Sequence, residues 1–164
     1  MQYNVIVKAE MSRALPKNDA IDISTPMGML VSEIFAQKTK IVSEGVLRSG
    51  KNGRIILSFK GEEGGEIRVS FSKKEPSLVA LERGDLIGVP SVLFLEKGVR
   101  RRCIGKAPNG SKLEFTVITS ALENNLLKSG RMSIDYAVEI CGVRAENSHI
   151  SLNVIHDKSQ EENK

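Results

Sequence analysis

Between Arg131 and Ile140 the chain alternates. Met132, Ile134, Tyr136, Val138 and Ile140 take every second position, with Ser133, Asp135, Ala137 and Glu139 between them. A helix would scatter the apolar set around its circumference, whereas a strand places all five on one face. The same period of two recurs at Tyr3, Val5, Val7, Ala9 and Met11, and at Ile67, Val69 and Phe71. It returns at Leu113, Phe115 and Val117, and at Ile150, Leu152 and Val154.

Turn residues separate these runs at the spacing of a meander. Asn52-Gly53 is a hairpin dipeptide. Gly64-Gly65, Gly84-Asp85, Lys97-Gly98, Pro108-Asn109-Gly110 and Ser129-Gly130 follow. Links this short join antiparallel neighbours, because a parallel return needs a long crossover. About eight to ten strands are expected, and one sheet of that size does best to close on itself and remove its edges. The fold class expected is therefore all-β, a single antiparallel closed barrel formed by residues 1–156. Residues 13–37 are read as a variable loop or short helix over one barrel mouth. The polar stretch from Asp157 to Lys164, without apolar anchors, is expected to be disordered.

Composition narrows the class. Aromatic residues make up 4% and Trp is absent, so the core must rest on Val, Ile and Leu, which favour strands. A net charge of +4 permits an anionic partner without demanding one. Scarce aromatics argue against a dedicated nucleic-acid binder. The N-terminus does not read as a signal peptide, and no apolar run approaches the length of a membrane span. The two cysteines, Cys103 and Cys141, suit a reducing compartment and are expected to be small buried side chains. A cytoplasmic protein is expected, with no membrane partner, as a monomer or dimer.

In order along the chain, several short motifs resemble one family. They are Ser43-Glu44-Gly45-Val46-Leu47, Ile55 to Phe59 with Glu62-Glu63-Gly64, Ile67-Arg68-Val69 and Leu81-Glu82-Arg83-Gly84. Val92 to Gly98, Ala107-Pro108-Asn109-Gly110, Phe115 to Thr119 and Ile134 to Val138 complete the series. From about Lys40 to Val154 the chain resembles the YwiB-like family of uncharacterised bacterial β-barrels. The resemblance implies a calycin-like, lipocalin-like barrel and supplies no catalytic residues. Ala107 and Asn109 stand where that family carries aromatics beside its Pro-x-Gly turn.

No catalytic, metal or cofactor motif is present. His149 and His156 lack ligand spacing with either cysteine, no serine sits in a nucleophile elbow, and no glycine run opens a helix. The candidate ligand-binding residues are Arg83, Arg101, Tyr136 and Thr119. Arg83 follows Val79 and Leu81 in alternation and should point inward. If Arg101 shares the interior face with Cys103, its charge needs a partner, for which Glu82 and Glu139 are the candidates. Lys97, Arg100 and Arg102 form a basic patch. Arg100 and Arg102 share one strand face, pairing loosely with Glu96 or Glu114 or presenting a fork for a phosphate or carboxylate.

The expected function is non-enzymatic binding of a small anionic or amphipathic molecule in the barrel interior or mouth. The alternatives are a protein- or RNA-interaction module using the strand around Arg100–Arg102, and an enzyme of unrecognised type.

Overall fold

The computed structural model describes residues 1–14, 37–62, 64–83, 92–106 and 110–156. The expected loop or helix over residues 15–36 and the expected disorder of 157–164 lie outside them. Ten strands carry the alternating runs. They are β1 (Gln2–Ala14), β2 (Gln37–Ser49), β3 (Arg54–Lys60), β4 (Glu66–Ser72) and β5 (Glu75–Arg83). β6 (Val92–Glu96), β7 (Arg100–Lys106), β8 (Lys112–Asn125), β9 (Arg131–Ile140) and β10 (Val143–His156) follow. Arg13 is strand, not loop: the alternation of β1 runs on past Met11 to Ala14.

All neighbours are antiparallel, in the order β6-β5-β4-β3-β2-β1-β10-β9-β8-β7. The first and last strands therefore pair in the interior of the sheet. The sheet curls until its two ends meet. There Lys97 forms a parallel bridge to Thr119, and the Gly98 N–H donates to the Thr119 carbonyl at 2.8 Å. No ladder joins β6 to β7 among the described residues, so the barrel is all but closed, with one seam.

The dry face is the one the alternation predicts. Val5, Val7, Leu57, Val69, Val79, Leu95, Val117, Ile134 and Leu152 are at most 2% exposed and belong to one core. Gly45 lets the wall bend. A Cβ there would sit 2.8 Å from Val7 Cγ2 and 2.9 Å from the Ser58 carbonyl oxygen. Only glycine allows so close an approach of backbone to its neighbours. A helical turn, Leu126–Ser129, ends in the left-handed Gly130 and tucks Leu126 beneath the core.

Two details depart from the sequence reading. Val138 and Ile140 are only partly buried, while Ala137, on the opposite face, is 7% exposed. The wall flares there, beside irregularities of register at Thr119/Ala121 and Arg144/Glu146. Cys103 is buried as expected, but Cys141 is exposed, at the β9–β10 turn with φ of 53°. A turn too tight for ordinary backbone angles puts that side chain into solvent rather than into the core.

Candidate functional site

The strand registers stack the inward side chains in rungs. One apolar rung runs Met11, Ile150, Ile134, Leu122 across β1, β10, β9 and β8. The next rung toward the mouth is polar, namely Arg13, Ser148, Tyr136 and Thr119. Beyond it lies Glu146, Val138, Val117 and Arg101. Arg83, at the end of β5, projects from the far wall and is 7% exposed.

These groups are linked. The Arg83 guanidinium and the Ser148 hydroxyl hydrogen-bond the Tyr136 phenol. Ser148 donates to Glu146, whose carboxylate is held by Arg13. Hydrogen bonds thus link Arg83, Tyr136, Ser148 and Glu146. Arg101 forms an ion pair with Glu96 on β6. Neither Glu82 nor Glu139 supplies that partner, since Glu82 holds Arg68 and Glu139 holds Arg100. β6 lies across the seam from β7, a neighbour that alternation alone does not reveal.

Among the described residues, three buried polar atoms at this end have no hydrogen-bond partner: Thr119 Oγ1, Arg13 Nε and Arg101 Nε. Thr119 is 1% exposed. A buried hydroxyl or guanidinium N–H left unpaired costs on the order of 1–3 kcal/mol, so the cluster has capacity for an acceptor it does not itself contain.

The basic patch is arranged differently. Arg102 pairs with Glu114 at 2.7 Å and Arg100 with Glu139 at 2.6 Å, both on the outer wall. The exposed Arg102–Glu114 pair contributes at most about 1 kcal/mol, while in the other pair the Glu139 side chain is largely buried. Both guanidiniums are already occupied by carboxylates and do not form an open fork.

Sequence reasoning singled out Arg83, Arg101, Tyr136 and Thr119 and missed Arg13, Glu146 and Ser148. The signal was available. Carrying the parity of β1 from Met11 to Arg13, and that of β10 from Ile150 back to Ser148 and Glu146, puts all three inside.

Comparison with known proteins bears on the fold. No family model matches the chain, and no curated protein matches it in sequence. Its structure is similar to that of the YwiB protein from Bacillus subtilis. The TM-score is 0.57 at 14% identity, over 93% of this chain and 92% of YwiB. YwiB therefore shares the barrel from end to end, and at this identity the likeness speaks for the fold alone. Among the described residues, no helix is long and apolar enough to cross a membrane, and no group of three or more His, Cys, Asp or Glu is placed to hold a metal ion.

Burial raises the pKa of the Tyr136 phenol above its ordinary 10.0; the nearby Glu146 charge also raises it, and Arg83 and Ser148 oppose the shift. The unfolded chain would release that proton near pH 10 while the folded chain retains it. The unfolded state then binds fewer protons, so stability falls as pH rises above about 10. In a Tyr3→Phe variant Tyr136 is the sole tyrosine. Its phenolate absorbance is expected to appear together with the loss of strand circular dichroism. Phenolate forming in the still-folded protein would contradict the burial.

Proposed function

We propose that this chain is a YwiB-like, calycin-type barrel of the bacterial cytoplasm. In this reading it is non-enzymatic and binds a small anionic or amphipathic molecule at its polar mouth. Arg13, Arg83 and Arg101 supply the positive field, Tyr136 and Ser148 the neutral hydrogen bonds, and Thr119 a hydroxyl. The carrying observation is the set of unpartnered buried atoms on Thr119, Arg13 and Arg101. Two guanidinium N–H groups and a hydroxyl at one end of a barrel suit a carboxylate or phosphate oxygen, with bonds strengthened by charge. An apolar portion of the ligand would lie toward the Met11, Ile134 and Ile150 rung.

The rival reading, a protein- or RNA-interaction module on Arg100 and Arg102, draws less support because both arginines are paired on the outer wall and, unlike Arg13 and Arg101, neither carries a buried unpartnered donor among the described residues.

Thr119→Val separates binding from mere structure. It keeps the side-chain shape and removes the unpartnered hydroxyl. The ligand-free variant is expected to be as stable as the parent or about 1 kcal/mol more so by urea unfolding. Native mass spectrometry of protein purified under mild conditions is expected to show a small retained mass in the parent. That mass should be diminished in Thr119→Val and lost in an Arg83→Ala, Arg101→Ala double variant. Equal retention by all three proteins, or a parent with no retained mass, would count against the reading.

A further inference from the structure

The outer wall behind the polar rung has a feature of its own. Outward residues on β8, β9, β10 and β1 also form rungs. Ile118, Ala137, Asn147 and Ala14 lie side by side. Short side chains at Ala137 and Ala14 leave this rung low. The rung on one side contains Asp135 and His149, and the rung on the other contains Glu139 and Arg144. Same-face residues along a strand are about 7 Å apart, so the low rung is the floor of a trench between two taller walls. The register irregularities in β8 and β10 flank β9 at this point. The resulting cavity holds about 400 Å³ and is also lined by Tyr136 and Ser148, whose strands form its floor. Ala137 lies at its base and is shielded although it faces outward.

The walls are chemically unlike. On one side His149 Nδ1 lies 2.5 Å from Asp135 Oδ1. That contact fixes the imidazole, and the His149 side chain is 39% exposed. On the other side Arg144 makes no ion pair among the described residues. Its cross-strand neighbour Glu139 does not satisfy it, because that carboxylate is held by Arg100. The Asp135 charge is engaged by His149 at the opposite wall, which sets the positive end of the trench at Arg144.

We propose that this trench is a second binding site, separate from the barrel mouth, for a small flat organic carboxylate. The carboxylate meets the guanidinium fork of Arg144. The ring lies on the methyl of Ala137 and the side chain of Ile118, and Asn147 offers its amide from the floor. The oriented imidazole of His149 meets the far edge of the ring. A slot one rung wide admits a ring and excludes a bulky branched group.

Benzoate is a suitable probe, with benzamide as its uncharged counterpart. In amide-resolved NMR titrations of the full chain, benzoate is expected to shift the signals of Ser12, Ala137, Arg144, Asn147 and His149. Arg144→Gln, an exposed substitution that leaves the core intact, should weaken the response about tenfold or more, the worth of one charge-assisted contact. Ala137→Leu should abolish it by filling the floor. Thr119→Val, on the interior wall, should leave it unchanged, so loss of the mouth site and loss of this one are distinguishable. No shift at these residues, an equal response to benzamide, or a response that survives Arg144→Gln would overturn the proposal.

Discussion

Gly130→Ala is expected to lower the unfolding free energy by about 4 kcal/mol. Gly130 closes the helical turn after β8 with φ of 71°, a left-handed conformation that costs a residue bearing a Cβ. The contact is the larger problem. A Cβ at this position would lie 2.3 Å from the Val154 carbonyl oxygen, which is backbone and cannot rotate away. The same peptide is tied on both sides. The Gly130 N–H donates to the Leu126 carbonyl at 3.1 Å, and the Gly130 carbonyl accepts from the Val154 N–H at 2.7 Å. Relief of the clash must therefore break the bond between β10 and the turn or lift Leu126 from beneath the core. A domain of ordinary stability has roughly 5–15 kcal/mol in total, so the variant should unfold at markedly lower urea. A loss below about 1 kcal/mol would mean that this end of the barrel is looser than described.

Ile134→Ala is expected to cost about 3–4 kcal/mol, within the usual range for emptying a buried isoleucine site. Ile134 is fully buried on β9, in the rung directly below Tyr136. Its neighbours across the ladders, Ile150 and Leu122, are fixed by their own strands and cannot collapse far into the space. The cavity would open beneath the polar rung, so this substitution is also expected to loosen the Tyr136–Ser148–Glu146 chain. Ile134→Val removes a single methylene and should cost about 1 kcal/mol. A comparison of urea midpoints for the two variants checks the difference. Near-equal midpoints would indicate that the core repacks freely at this level.

The barrel was legible because its signal is repeated. Val5 to Met11, Ile67 to Phe71 and Met132 to Tyr136 each show the period of two, and the structure buries the inward member of every pair. Asn52-Gly53 likewise announces its hairpin. The seam was not legible. Nothing in Val92 to Glu96 or Arg100 to Lys106 says that these strands approach across a turn without forming a ladder, and so the Arg101–Glu96 ion pair escaped notice. Arg13 was hidden by the polar residues after Met11, which read as a loop although the strand continues. Glu146 and Ser148 were hidden because the inward residues of β10 turn polar before Ile150, although the register runs unbroken from Glu146 to Asn153. Polar residues on a dry face carry no hydropathic signal. Only their phase relative to Ile150 and Met11 marks them.

Residue-resolved hydrogen exchange offers the most direct test of a polar rung enclosed by paired strands. The amides of Ile134, Tyr136, Ser148 and Ile150 should open only when the whole chain unfolds, while those on the seam strands β6 and β7 exchange sooner. Exchange of Tyr136 and Ser148 at the pace of solvent-exposed amides in the native protein would contradict that arrangement.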